Sequence, residues 1–225
     1  MKRIVYGIFT IIVLAGFLFT SCDCDDGTSN TNGNPPFDPC DPSNPVVLNG
    51  ETIPESRIMR DTLGCVVGID LGSMDISSRN CIYGIEIYDS TLEWLILVCN
   101  QLTSINLSPL SSCIYLEGLY LMGNQLTSIN LSPLATCAKL EALVLWGNQL
   151  TSIDLSPLAS CANLRGIALD RNQLTSISLY PLWELDSFAE FYIDENFLDS
   201  ASCAHVCDFI DEHPACWVVT DCDCP

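Results

Sequence analysis

Residues 116–126 read Leu-Glu-Gly-Leu-Tyr-Leu-Met-Gly-Asn-Gln-Leu, a frame of leucines that closes on an asparagine and one further leucine. The frame L-x-x-L-x-L-x-x-N-x-L recurs along the chain at a constant interval. Its equally spaced asparagines are Asn100, Asn124, Asn148, Asn172 and Asn196. The last copy is looser, because Phe188, Phe191 and Ile193 replace leucines. Copies held in one register predict a stack of similar units, each of which packs on its neighbours.

A fixed period of about 20–29 residues with this consensus is typical of leucine-rich repeats. Over residues 92–198 the chain resembles leucine-rich-repeat proteins. The resemblance implies an α/β solenoid, a short horseshoe with a parallel β-sheet on its concave side. It also implies a binding module as the functional class, so we expect no enzyme activity and no cofactor.

Each part of the frame predicts a local structure. The L-x-L segment predicts a short strand whose leucines point inward and whose middle residue points outward. The asparagine that follows can satisfy buried backbone groups of neighbouring coils, which leucine could not do. Ser-Pro pairs begin at Ser108, Ser132 and Ser156, and they predict an N-capping serine and a helical turn on the convex side. The fourth copy has Tyr180 instead, so that coil should be less regular.

The N-terminus predicts export. Lys2 and Arg3 precede an apolar run that ends at Phe19, so residues 1–21 have the pattern of a signal peptide. Cys22 follows small residues and resembles the lipidated cysteine of bacterial lipoproteins, which implies a membrane anchor. The alternative is an uncleaved anchor helix, but the run is short for a span of about 20 residues. We therefore expect an extracytoplasmic protein of the cell envelope, at the cell surface or in the periplasm.

Composition limits the function further. The formal net charge is −20, which argues against nucleic acid as a partner. The chain is 48% hydrophobic in a periodic pattern, which excludes general disorder. Its 14 cysteines, combined with an export signal, favour disulfides outside the repeat core.

Three segments flank or precede the repeats. Residues 22–45 are rich in Asp, Asn and Pro and predict a flexible tether. Residues 46–91 predict a β-rich N-terminal cap with strands at 65–71 and 82–88, which Cys65 and Cys81 could staple. Residues 199–225 predict a C-terminal cap with a helix at 202–211 and a closing strand at 216–219. Its disulfide cluster would involve Cys203, Cys207, Cys216, Cys222 and Cys224.

Other cysteines and charges of the sequence have structural interpretations. Cys113, Cys137 and Cys161 recur with the repeat, at a position that accepts leucine in the next rung, which favours buried thiols. On a helix, His205 would point away from the face shared by Cys203 and Cys207, so zinc is not expected. Glu93, Glu117 and Glu141 form a column that continues at Arg165. The last two residues predict a solvated salt bridge rather than a calcium site. No metal and no catalytic residues are therefore assigned.

The outward positions of the strands predict the binding surface. They are apolar and aromatic in the first three rungs and acidic in the last two. The candidate ligand-binding residues are Trp94, Ile96, Val98, Tyr120, Met122, Val144, Trp146, Asp170, Tyr192 and Asp194. An exposed patch of this kind usually marks an interaction site, here for a protein or peptide whose basic segment meets the acidic edge.

The sequence is compatible with two alternatives. The N-terminal cap or the tether could fold over the patch. The chain could also be a structural or adhesive envelope protein that uses its acidic outer surface or its caps.

Overall fold

The computed structural model describes residues 92–224 continuously and, before them, only five short strands. Several sequence predictions therefore lie outside the residues whose side chains are described. They are the signal peptide, the tether, the Cys65–Cys81 staple and most of the strand at 82–88. The strands are β1 (Val47–Leu48), β2 (Glu51–Thr52), β3 (Ile58–Arg60), β4 (Val66–Asp70), β5 (Cys81–Ile82), β6 (Trp94–Ile96), β7 (Ser104–Ile105), β8 (Gly118–Tyr120), β9 (Ala142–Val144), β10 (Gly166–Ala168), β11 (Glu190–Tyr192) and β12 (Trp217–Val219).

One sheet organises the described chain. Its eight strands lie in the order β12-β11-β10-β9-β8-β6-β4-β3. β3 and β4 are antiparallel, and the other neighbouring pairs are parallel. Because each strand of the array advances by one repeat, Leu95 lies beside Leu119, and Leu119 beside Leu143. The predicted leucine-rich-repeat solenoid with a parallel sheet is confirmed.

The core lies on one side of this sheet. The inward leucines of successive coils form one continuous cluster, in which Leu95, Leu119 and Leu143 are completely buried. On the opposite wall of each coil are short 3-10 helices, at Ser108–Ser112, Ser132–Thr136, Ser156–Ser160 and Tyr180–Leu182. The last is shorter than the others, in agreement with the expected irregularity at Tyr180.

The capping of these turns corrects the sequence prediction. The serines at 108, 132 and 156 are not N-caps, because the cap position holds a leucine that points into the core, as at Leu107. The residue before that leucine supplies the acceptor instead. The Asn106 side chain accepts from the Ser108 backbone N–H at 3.0 Å, and Asp154 accepts from Ser156 at 2.9 Å.

The ladder asparagines connect adjacent coils. The Asn148 side-chain oxygen accepts from the Leu126 N–H at 3.1 Å. Its amide nitrogen donates to the carbonyls of Leu121, at 3.0 Å, and Leu145, at 2.9 Å. Asn124, Asn172 and Asn196 repeat this pattern. Each amide therefore satisfies buried backbone groups that no apolar side chain could reach.

The cysteine column is part of the same core. Cys113, Cys137 and Cys161 are buried thiols, as their spacing predicted. The Cys137 thiol donates to the Leu110 carbonyl at 3.5 Å, and the Cys161 thiol donates to Leu134 at 3.4 Å. Burial raises the pKa of Cys137 to about 11 and that of Cys161 to about 12.

The C-terminal segment covers the last coil. Its helix, Ser200–Glu212, begins at a capping contact in which Asp199 accepts from the Ser202 N–H at 2.8 Å. Disulfides join Cys203 to Cys222 and Cys207 to Cys224. Cys216 is a half-buried free thiol, so the expected disulfide cluster includes four of its five members. Within residues 92–224 and the short strands before them, no helix combines the length and apolar character needed to cross a bilayer.

Candidate functional site on the sheet face opposite the core

The strand registers stack the outward side chains into columns. We call the sheet face opposite the core the concave face. Trp94 lies beside Gly118 in the first column, and Ile96 lies beside Tyr120 in the second. At the far end Glu190 pairs with Trp217, and Tyr192 pairs with Val219. The concave face thus continues one strand beyond the repeat frame, onto β12.

A second apolar cluster occupies this face, separate from the core. It contains Ile96, Val98, Tyr120, Met122, Ala142, Val144 and Ala168, with Trp94, Cys99, Trp146 and Tyr192 packed against it. Five of the candidate ligand-binding residues, Ile96, Val98, Tyr120, Met122 and Val144, are exposed by 5% or less. The expectation that this part of the patch is open to solvent is wrong.

A glycine explains part of this packing. A Cβ at Gly118 would lie 2.6 Å from a ring carbon of Tyr120 and 2.9 Å from a ring carbon of Trp94. The Tyr120 ring therefore lies over Gly118 and reaches Trp94, which is possible only without a side chain at 118. Burial, followed by the charges of Glu141 and Glu117, raises the pKa of Tyr120 to about 12.

Cys99 lies at the edge of this cluster, in a turn whose positive φ recurs at Gly123, Gly147, Arg171 and Glu195. Its φ is +56°, in the region that favours glycine, and Gly123 and Gly147 occupy the equivalent turns with φ of +69° and +68°. Cys99 is disulfide-bonded.

The C-terminal half of the face is acidic, as predicted. Asp170 and Asp194 are half-buried in neighbouring coils. Burial and then the negative charge of Asp194 raise the pKa of Asp170 to about 6. Burial, followed by the charges of Asp221 and Glu195, raises the pKa of Asp194. These carboxylates therefore repel one another and would favour a nearby cation.

One positive charge lies at the same edge. The Arg171 guanidinium contacts the Glu195 carboxylate at 3.1 Å, in a pair that is more than half exposed on both sides. An exposed pair of this kind contributes little stability, so it is available to exchange partners.

Trp217 is the functional candidate that repeat counting missed. It lies on the concave face beside Glu190 and is 53% exposed. Tyr192, on the same strand as Glu190, is half-buried, and burial followed by the Glu190 charge raises its pKa to about 12. The interval from β11 to β12 is longer than one repeat, so the frame ends before β12. The Trp-Val-Val alternation at 217–219 was the available signal.

The other candidate sites have structural roles. Arg165 and Glu141 form the expected exposed salt bridge, at 3.5 Å. Cys203 and Cys207 are each in a disulfide, and the His205 ring lies 4.4 Å from the Tyr180 ring and 5.4 Å from Trp183. Among the described residues, no group of three or more His, Cys, Asp or Glu side chains is arranged to hold a metal ion.

Comparison with known proteins agrees with the architecture. The family model described as leucine rich repeat matches residues 90–150 and 138–198. A leucine-rich-repeat protein of Leptospira interrogans has a similar solved structure, with a TM-score of 0.51 and 22% sequence identity. The similarity covers 58% of this chain and 31% of that protein, and at this identity it supports the fold alone. No curated protein sequence matches significantly.

The repeat frame, the asparagine contacts, the parallel sheet and the family match all point to the same domain type. Residues 92–198, closed by a disulfide-bonded C-terminal segment, have the leucine-rich-repeat fold, which generally serves as a protein-interaction module.

Proposed function

We propose that this protein is a lipid-anchored extracytoplasmic module that binds a protein or peptide on its concave face. The observation that carries the proposal is the open aromatic and acidic end of that face. Trp217 is 53% exposed there, next to Glu190 and close to the half-buried Tyr192. The fold does not require an aromatic side chain at 217, because the core lies on the other side of the strand, where Val218 packs.

The side chains at this end define the kind of ligand. Trp and Tyr often dominate the energy of interfaces, since they bury a large area with few rotatable bonds. Asp170 and Asp194 repel one another, so a lysine or arginine of a partner would relieve that repulsion. A segment that carries both an apolar anchor and a basic residue fits this surface best. Of the residues assigned from sequence, five are half-buried and so partly accessible: Trp94, Trp146, Asp170, Tyr192 and Asp194.

The cysteines and the N-terminus support the proposed cellular location. The two disulfides of the C-terminal segment are typical of an oxidising, extracytoplasmic compartment. The basic and apolar N-terminal pattern and Cys22 support a lipid anchor to the cell envelope. The mature chain would then present the concave face outside the cytoplasm.

The experiment compares three forms of residues 23–225 as bait for envelope extracts and culture medium. One is unchanged, one carries Tyr192→Ala and Trp217→Ala, and one carries Tyr115→Ala and Tyr180→Ala. The control tyrosines are 42% and 70% exposed and lie outside the concave face. Circular dichroism checks that all three are folded. The proposal is supported if the Tyr115→Ala, Tyr180→Ala variant still captures the partner and the Tyr192→Ala, Trp217→Ala variant does not. The proposal is contradicted if both variants capture the partner.

The control variant also tests the second candidate function. Ile114, Tyr115 and Tyr180 expose large apolar surfaces away from the concave face, which favours a structural or adhesive role for the outer surface. Loss of the partner only from the Tyr115→Ala and Tyr180→Ala variant would support that role.

A further inference from the structure

The last strand of the sheet has a described neighbour on only one of its two edges. β12 pairs with β11 and ends the strand order, so none of the described strands lies on its other side. The Trp217 N–H donates to the Ala189 carbonyl at 2.6 Å, and the Val219 carbonyl accepts from the Ile193 N–H at 2.9 Å. Because alternate residues of a strand bond to opposite neighbours, the N–H and carbonyl of Val218 point to the free edge. A strand of another molecule could bond to both groups.

The burial of the central column of the sheet agrees with an open edge at β12. Ile167 and Phe191, which occupy this column in the two preceding strands, are completely buried. Val218 continues the column but is only half-buried. The two interior strands are covered by coils on both sides, whereas β12 has a described coil on one side only. An added strand would therefore bury the rest of the Val218 side chain as well as its backbone groups.

The charge of this end of the chain selects the kind of strand. Residues 172–225 contain 11 Asp or Glu and no Lys or Arg. Asp221, just beyond β12, lies next to the acidic end of the concave face, because its carboxylate accepts from the Glu195 backbone N–H. A second copy of this chain would bring like charges together, which disfavours self-pairing at β12. A strand that carries a lysine or arginine would instead be attracted.

We propose that β12 binds an extended segment of a partner protein as an added strand, with an apolar residue beside Val218 and a lysine or arginine beside Asp221. Residues of adjacent strands in this sheet lie side by side, so the two partner residues have the same spacing as Val218 and Asp221. The alternate residues of the added strand would point onto the concave face, next to Trp217 and Val219. This inference rests on the proposed function, because it gives the partner of the concave face a conformation and a main-chain contact.

The first test uses a synthetic peptide as the strand and the mature chain, residues 23–225, as the receptor. The probe is fluorescently labelled acetyl-Thr-Val-Val-Thr-Lys-Lys-amide, and its affinity is measured by fluorescence anisotropy. With the second residue beside Val218, the N–H of the third residue donates to the Val218 carbonyl, whereas the N–H of the second residue points away from β12.

N-methylation of the third peptide residue should therefore weaken binding at least about tenfold, the effect of roughly one backbone hydrogen bond. N-methylation of the second residue is the matched control and should change the affinity by less than about threefold. The proposal is overturned if the unmethylated peptide does not bind at millimolar concentration, or if the two methylated peptides bind equally well.

The second test changes the chain. Val218→Pro removes the N–H at the free edge, and the hydrogen bonds between β12 and β11 do not use that N–H. Val218→Ala also loses side-chain packing but keeps the N–H, so it is the matched control. With folding of both verified by circular dichroism, we expect Val218→Pro to bind the peptide at least about tenfold more weakly than Val218→Ala. Equal affinities of the two variants would overturn the proposal.

The same peptide separates this inference from the proposed function. If Trp217→Ala weakens peptide binding but N-methylation of the third residue does not, the concave face binds by side chains alone, and only the added strand is wrong. If the Tyr192→Ala, Trp217→Ala variant still captures the partner from envelope extracts, the proposed function is contradicted whatever the methylated peptides show.

Discussion

The Asn148 side chain donates a hydrogen bond to the Leu121 carbonyl of the preceding coil, at 3.0 Å. Both residues are buried, so water cannot replace this contact. Because the same amide also bonds Leu126 and Leu145, it fixes the spacing of two coils at once. The sheet, the core and the columns of the concave face all depend on that spacing.

Asn148→Ala should therefore destabilise the solenoid strongly. It leaves the buried Leu126 N–H without an acceptor, which costs about 1–3 kcal/mol. It also removes one of the two amide donors of the Leu121 and Leu145 carbonyls, which keep their bonds from Asn124 and Asn172. We expect a loss of about 2 kcal/mol or more in the free energy of unfolding by urea. The neighbouring exposed residue supplies the control, since Gln149→Ala should change stability by less than about 0.5 kcal/mol. Equal effects of the two substitutions would contradict the role of the ladder.

Gly118→Ala should disturb the concave face. The added Cβ would lie 2.6 Å from Tyr120 and 2.9 Å from Trp94, so both rings must move. Overpacking of this kind costs about 1–3 kcal/mol. We expect lower stability together with a changed tryptophan emission spectrum. A variant with unchanged stability and emission would show that the Tyr120 ring does not lie across Gly118.

Asp170 should make the protein less stable as pH rises from about 4 to 7. Burial and the Asp194 charge raise its folded-state pKa to about 6, above the usual value of 3.8. The folded state therefore binds the proton more tightly than the unfolded state, and stability is lost as the carboxyl ionises on the way up through pH 6.

The test is Asp170→Asn, which removes this titration. At pH 7 the free energy of unfolding of the variant should exceed that of the unchanged protein by about 1 kcal/mol, a figure discounted for the partial exposure of Asp170. The difference should shrink towards pH 4. Asp208→Asn, at an exposed position of the C-terminal helix, controls for the change in net charge. An Asp170→Asn difference that does not vary with pH would contradict the assignment.

Loss of the Cys203–Cys222 disulfide should loosen the C-terminal cap. The bond closes a loop with a sequence separation of 19, for which removal typically costs about 3 kcal/mol. In a Cys203→Ala, Cys222→Ala variant we expect earlier urea unfolding and faster proteolysis after residue 199. Cys216→Ala changes a free thiol of the same segment and should have a smaller effect. Equal proteolysis of the two variants would show that this disulfide does not hold the cap.

The repeat frame was sufficient to predict most of the fold. Leucine spacing defined the strands and core, and the recurrence of Asn124 and Asn148 defined the register, because each contact in the solenoid is made to the next coil in sequence. The N-cap of the first 3-10 helix is Leu107, one position before the predicted Ser108, and the side chain that accepts from the helix start is that of Asn106, two positions before it. Asn106 and Ser108 both favour helix starts, and the choice depends on the burial of Leu107, which sequence alone does not show.

The concave face was predicted less well than the core. Alternation identified which side chains point away from the core, but it did not show that Tyr120 lies over Gly118 or that Met122 is buried. Trp217 was missed because it belongs to the cap in sequence and to the sheet in space. Contacts between segments that share no repeat period cannot be inferred from periodicity.

The most direct test of the account is the affinity of the captured partner for the purified mature chain. Calorimetry would compare the unchanged protein with Trp217→Arg and with Tyr180→Arg, two exposed aromatic positions on different surfaces. If the concave face is the binding site, Trp217→Arg should weaken binding at least about tenfold. This corresponds to a loss of roughly 1.4 kcal/mol, the lower end of what a dominant interface residue contributes. Tyr180→Arg should leave the affinity unchanged. Unchanged affinity of the Trp217→Arg protein, or a selective loss in Tyr180→Arg, would contradict the concave-face model.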